Sequence, residues 1–317
     1  MHKSLFNEAI IKLTIEPAGP ILIKAGEGAS DPTKPDMSFV RTMRNGSETV
    51  YLPGSSLKGV LRAHCERLAR TVQGNRMLAC NPLSGEACGE NLKDKKLAAA
   101  KVHADSCFLC RLFGNTNLAS HFRISDAYPT TECRTEERNG VAIDRVFGSV
   151  AVGPFNYETV TSGQFQTTLY IKNFTLAQLG LLSLTLRDLA AERVRLGFGK
   201  SRGLGAVTAR VNELTLRYPS CVINAGQLQM LDGRDVTGSD KLAGVGRFIE
   251  VLYGDGDAGS YGYDKNDEAV LPNDHSYQPN DWDELEVRAP QADGKAQWEH
   301  LGRVCAARWK AEVQSGE

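Results

Sequence analysis

The stretch 53-PGSSLKGVLRAHCERLAR-70 decides the reading of the chain. Pro53 and Gly54 interrupt the strand-like run Thr49-Val50-Tyr51-Leu52. Beyond them Leu57, Val60, Leu61 and Leu68 recur at helical spacing, which predicts a helix over 55–72 with one buried stripe. Ser55 or Ser56 is the expected N-cap. Lys58 and Arg62, four residues apart, share a neighbouring face. Free amides, the helix dipole and two cations together make a site suited to a phosphate.

Outward from this helix the apolar pattern alternates between two periods. Residues 9–16 and 20–25 read as strands, followed by the polar loop 26-GEGASDPTKPDMS-38. Strands are also predicted at 121–127, 164–172 and 206–216, and a second helix, capped by Thr175, at about 176–190. With insertions removed the order is strand, helix, strand, strand, helix, strand. That is an α+β, ferredoxin-like (RRM-like) plan, shared with readers of single-stranded RNA. The strand Phe122-Arg123-Ile124 carries only a trace of the aromatics such readers use. After Arg217 the pattern weakens: 253–285 reads as a surface loop, and a closing helix is expected over 298–313. The predicted division is a core domain over 1–217, with insertions at 74–117 and 130–160, and an extension over 218–317.

The net charge of −1 conceals an asymmetry. Residues 1–217 hold 28 Lys and Arg against 20 Asp and Glu, whereas 218–317 hold 9 against 18. A basic body points to a polyanionic partner, and the acidic segment should face away from it. That segment carries Trp282, Trp298 and Trp309 and is expected to contact a neighbouring subunit. No apolar run reaches membrane-spanning length and the first residues lack a signal peptide's core, so a cytoplasmic location without membrane partners is expected.

Cys80, Cys88, Cys107 and Cys110 fall within a polar insertion. The CxxC pair at 107–110 can offer two thiolates to one tetrahedral ion, and a structural Zn²⁺ with four thiolates is the expected occupant. His103 is an alternative ligand in place of Cys80 or Cys88. Two further basic elements follow. In 197-GFGKSRGLG-205 four glycines surround Lys200 and Arg202, which suits an anion; Val194 stands where a Walker A loop needs glycine, and the order helix, loop, strand excludes a dinucleotide fingerprint. In 138-RNGVAIDRV-146 Arg138 and Arg145 flank a short alternation that suggests a projecting hairpin, with Val141, Ile143 and Val146 able to wedge between bases.

In this order, 53-PGSSLKGVLR-62, 107-CFLCRLFG-114, 123-RISDA-127, 142-AIDRV-146 and 197-GFGKSRGLG-205 resemble the RAMP superfamily of CRISPR-associated proteins, and among them the backbone subunit of type III effector complexes. The resemblance spans about residues 1–216. It implies copies stacked along a CRISPR guide RNA beside other effector subunits, with guide contacts at Ser55, Lys58, Arg62, Lys200 and Arg202. It makes 133–160 a thumb that passes through the guide–target duplex. It also implies cleavage of single-stranded target RNA by an aspartate on the loop after the first strands, Asp31 or, failing that, Asp36, with Mg²⁺ or Mn²⁺. The acidic extension departs from the family's pattern. Two rival readings share the fold: a scaffold that binds guide RNA without cutting, and a metal-independent processor of precursor guide RNA using His64 or His121.

Overall fold

The computed structural model describes residues 3–26, 35–74, 76–93, 96–289 and 293–315, with 255–260 described by their backbone alone. In chain order, β1 (Glu8–Pro17) is followed by a hairpin, β2 (Arg41–Arg44) and β3 (Ser47–Val50), and by α1 (Gly54–Thr71). The cysteine insertion forms α2 (Cys88–Asn91), α3 (Ala99–Asp105) and α4 (Phe108–Phe113). Next come β4 (Phe122–Ile124), β5 (Tyr128–Pro129), the long hairpin β6 (Arg134–Ile143) and β7 (Val150–Ser162), then β8 (Phe165–Lys172), α5 (Leu176–Ala190) and β9 (Val207–Tyr218). The remainder builds β10 (Cys221–Asn224), β11 (Gln227–Met230), β12 (Asp235–Gly238), β13 (Lys241–Ala243), α6 (Val245–Tyr261), β14 (Glu268–Val270), β15 (Ser276–Pro279), β16 (Leu285–Arg288) and α7 (Gly294–Gln314).

The principal sheet is antiparallel, in the order β15-β16-β9-β1-β8-β4, with β5 also on β8. β1 is central because Ala9, Ile11, Leu13 and Ile15 alternate onto the buried face. The expected helix cap at 175 is present as a full capping box: Thr175 accepts from Gln178 N–H and the Gln178 side chain accepts from Thr175 N–H. α5 is buried almost all round, since α1 lies against one side and α7 against another.

Three expectations are corrected. Residues 20–25 form no strand. Ile21, Leu22 and Ile23 are all buried, and their backbone bonds go to three places, Val160, Val40 and Phe198, so no single ladder forms. The strand expected at 49–52 belongs instead to the β2–β3 hairpin, closed by Asn45-Gly46 with both φ positive. The segment 253–285, expected as a surface loop, instead ends α6 and carries β14 and β15; beyond it β16 adds to β9, and the Trp309 ring on α7 packs tilted on Phe108 with centroids 5.4 Å apart. Trp298 is partly buried, and of the three tryptophans only Trp282 is fully exposed.

α7 reaches α5 because residue 180 is glycine; a Cβ there would stand 2.0 Å from the Cys305 carbonyl oxygen. Gly180→Ala is expected to destabilise the whole chain by about 1–3 kcal/mol by forcing the two helices apart. Chemical denaturation checks this, and a single cooperative transition at reduced midpoint is the expected form because both helices share one core.

Candidate nucleic-acid interface and cysteine centre

The four cysteines do converge. Cys80, Cys88, Cys107 and Cys110 are buried, and their sulfurs all lie within 4.8 Å of one another. Cys80 and Cys110 are 3.7 Å apart, close to the roughly 3.8 Å edge of a tetrahedron built on Zn–S bonds of about 2.3 Å. Backbone amides already point at sulfur: Cys107 N–H at Cys88, 3.2 Å, and Cys110 N–H at Cys107, 3.4 Å. Hydrogen bonds from the Cys107 and Cys110 thiols push Cys88 down to about 4, and bonds from Cys110 and then Cys80 push Cys107 down to about 7. Cys110 and Cys80 move up, first through their hydrogen bonds with Cys107. A cluster arranged in this way can hold a metal ion such as zinc. His103 lies elsewhere: its Nδ1–H donates to Tyr261 O at 2.7 Å and its Nε2 accepts from the Tyr263 hydroxyl at 2.9 Å. Burial pushes its pKa down to about 3.

The basic stripe of α1 faces this centre. Arg62 donates to Glu66 (2.8 Å), to Gly114 O (3.0 Å) and to Cys110 Sγ (3.4 Å). Burial alone would lower the Arg62 pKa, but Glu66 and the neighbouring sulfurs outweigh it and raise it. Arg70 donates to the other oxygen of Glu66 and to Cys80 O, both at 2.8 Å. Lys58 turns the same way, to Ser120 Oγ at 2.8 Å and Phe122 O at 3.3 Å, and burial, then Arg62, lowers its pKa.

The helix start is also occupied from within the chain. Its N-cap is Pro53, with no side-chain cap from Ser55 or Ser56; Asp126 Oδ1 accepts from Gly54 N–H at 2.7 Å. A carboxylate therefore sits where a phosphate was expected. Ser55 is exposed beside it. The sequence signal for this was the Asp in 123-RISDA-127, whose role as a cap over 72 residues of separation has no local signature.

Lys200 and Arg202 are exposed on a short 3₁₀ turn between Gly199 and Gly203, both of positive φ. The turn is stitched to the crossing segment: Phe198 N–H donates to Leu22 O at 2.7 Å and Gly205 N–H to Pro20 O at 2.9 Å. A Cβ on Gly197 would stand 2.1 Å from Leu22 O, so this glycine serves the chain's own packing. Burial, then the charge of Arg67 on α1, lowers the Lys200 pKa. Arg67 lies five residues, or about 140° of helix, beyond Arg62. The structure thus splits the expected cationic patch: Lys58 and Arg62 are held within the chain, Lys200 and Arg202 are presented.

The hairpin of β6 and β7 is about 33 Å long by strand rise. Asp144 builds its tip, accepting from Val146 and Phe147 N–H at 3.2 and 2.8 Å. Val141, Ile143, Val146 and Val152 are exposed around Phe147, which is 85% exposed. Phe147 follows directly on the expected wedge and was missed as its principal apolar group. Arg138 pairs with Glu136 along its own strand, and Arg145 is exposed at the tip.

Asp36 Oδ2 accepts from Asn156 N–H at 2.9 Å, which docks its loop on the middle of the hairpin, and Phe39 N–H and Arg41 add bonds to Glu158, two residues nearer the base. Asp31 lies outside the described residues. Nearby, the Arg44 guanidinium covers Tyr128 at 4.0 Å and Tyr128 stacks on Tyr51, with centroids 5.8 Å apart. Of the two histidines weighed for catalysis, His64 is buried, with Nε2 on Asp188 (2.9 Å) and Nδ1 accepting from Arg67 (3.2 Å), and His121 is buried against Lys172 O.

The sequence profile of the RAMP superfamily matches residues 14–208, more than half of the chain. The chain belongs to the RAMP superfamily. Members are in general RNA-binding, CRISPR-associated proteins, and some are ribonucleases. The matched span takes in the cysteine centre, the long hairpin and the glycine-rich turn, and it ends within β9. A comparison with curated proteins finds no match. Among the described residues, no helix is long and apolar enough to cross a membrane.

Arg62→Ala is expected to weaken zinc binding about 10–100-fold, as losses of a group supporting metal ligands do. Competition against a chromogenic chelator measures this, with Lys200→Ala as the variant that keeps wild-type affinity.

Proposed function

We propose that this RAMP protein is a guide-RNA-binding backbone subunit of a type III CRISPR effector complex and that it cleaves complementary target RNA. One observation carries the reading. The hairpin base, the glycine-rich turn and the loop bearing Asp36 meet at a single end of the sheet, where Pro17 of β1 pairs with Val207 of β9 and β8 begins at Phe165. Ile21 pairs with Val160 of the hairpin while Leu22 binds the turn, so one crossing segment ties the parts together. The six-element core, with strands in the order β4-β8-β1-β9, fits a ferredoxin-like domain over 1–217 carrying a structural zinc insertion (74–117) and a thumb (130–160).

In this reading Lys200 and Arg202, with the exposed Arg67 and Ser55 of α1, grip the guide backbone, and base pairing supplies sequence choice. The thumb, with Arg138 along it and Arg145 and Phe147 at its tip, separates adjacent base pairs; an aromatic group stacked on a base contributes about 1–3 kcal/mol. Arg44 and Tyr128 offer a second stacking surface at the hairpin base. Lys58 and Arg62 support the guide surface through the cysteine centre. The splayed nucleotide presents its 2′-hydroxyl in line with the neighbouring phosphorus. The 2′-oxygen bonds to phosphorus as the 5′-oxygen leaves, giving a 2′,3′-cyclic phosphate and a 5′-hydroxyl. Asp31, with Asp36 as the alternative, takes the proton or helps hold Mg²⁺ or Mn²⁺, which would stabilise the charge on the leaving oxygen. Copies of this chain and other effector subunits complete the assembly. Because both His64 and His121 are buried, a histidine-driven processing reaction is disfavoured.

The test is cleavage of complementary RNA by the assembled complex with Mg²⁺. Wild type should cut, Asp31→Ala should abolish cutting while binding target normally, and Phe147→Ala should cut at least tenfold more slowly. Equal recovery of intact RNA with wild type and Asp31→Ala would leave a non-catalytic scaffold as the function.

A further inference from the structure

The extension holds a second group of metal-binding side chains, outside the family-matched span of residues 14–208. Asp274 and His275 lie on the loop between β14 and β15, and His300 on the second turn of α7. One ligand atom from each falls within 4.8 Å of the others. His275 Nδ1 hydrogen-bonds Asp274 Oδ1 at 2.7 Å, and His300 Nδ1 is 3.3 Å from Asp274 Oδ2. The imidazole centroids are 5.5 Å apart at 61°.

Two features set this group apart from an ordinary ion pair. The His275 side chain is completely shielded, and among the described residues its Nε2 has no hydrogen-bond partner. His300 Nδ1 is also a buried atom without a hydrogen bond, although it faces the Asp274 carboxylate. A nitrogen aimed at a carboxylate but not bonded to it is the arrangement an intervening ion produces. Four-coordinate bonds of about 2.0–2.1 Å separate neighbouring N and O ligands by roughly 3.3 Å. The His300–Asp274 spacing meets that value. For His275 the ion would replace the 2.7 Å hydrogen bond to Asp274, with the carboxylate turning about its soft terminal torsion.

We propose that Asp274, His275 and His300 bind a divalent transition-metal ion of the zinc type. Two imidazoles and one carboxylate suit Zn²⁺, Co²⁺ or Ni²⁺ and are too nitrogen-rich for Mg²⁺ or Ca²⁺. The ion staples the β14–β15 loop to α7, the helix that packs on α5. Its three protein ligands leave at least one coordination position for water.

The test uses the full, untagged chain, dialysed against Zn²⁺ and measured by elemental analysis beside thermal unfolding. Wild type should bind two zinc ions, one at the four cysteines and one here. Brief EDTA treatment should remove the second ion and lower the unfolding midpoint, and added Zn²⁺ should restore it, since an ion that binds only the folded chain stabilises it by mass action. His300→Ala and Asp274→Asn, both at partly exposed positions, should fold, keep one zinc and lose the Zn²⁺-dependent midpoint shift. A single zinc in wild type overturns the proposal, as does an unchanged count or an unchanged shift in both variants. Loss of the shift in a Cys110→Ser variant alone would assign it to the cysteine centre and equally overturn it.

Discussion

Glu66 holds two arginines of α1 against the cysteine centre, one on each carboxylate oxygen. Its side chain is only 13% exposed, so these are charged hydrogen bonds in a partly dry setting, where losing one partner strands the other. The clamp does more than fasten an insertion. Four thiolates around a divalent ion would carry a net charge of −2, and Arg62 beside Cys110 would offset half of it. Lys58 and Arg62 are therefore partly buried and already bonded within the chain, and α1 is pinned along one side by its arginines and at its start by Asp126.

Pinning α1 in this way fixes what remains for a polyanion. Arg67, on another side of the helix, is exposed and bonds His64, and the glycine-rich turn is stitched through Leu22 to the segment that also pairs with the hairpin. Hairpin, turn and aspartate loop thus share one frame. A wedge can part a duplex only if it is held rigidly relative to the surface that grips the strand, and short backbone bonds over Pro20–Ile23 supply that rigidity.

The core was legible because its strands and helices each carry a single clear period: β1, β8, α5 and β9 lie where alternation or helical spacing put them. The CxxC pair gave the cysteine centre for the same reason, since its chemistry is local. What failed was non-local. Nothing near Lys58 or Arg62 says that Ser120, Gly114 and Cys110 will reach them, and the Asp126 cap depends on β4 being brought to the helix start. Residues 20–25 read as a strand because their apolar run is genuine, but burial on all sides marks a crossing segment. The Asn-Gly turn at 45–46 was a readable signal that went unused, and Phe147 sat one residue past the apolar group that was noticed. Composition alone could not show how the extension packs: Trp309, Cys305 and Leu301 join the main core.

The central claim is that RNA meets the hairpin and the glycine-rich turn, and that Lys58 and Arg62 of α1 are engaged by partners within the chain. Photochemical cross-linking of the guide-loaded complex, with the linked peptides located by mass spectrometry, tests it most directly. Cross-links should gather in 138–157 and 197–205, Phe147 among them, and be absent from Lys58 and Arg62. Cross-links concentrated on Lys58 and Arg62, with the hairpin and the turn unmarked, would contradict the account.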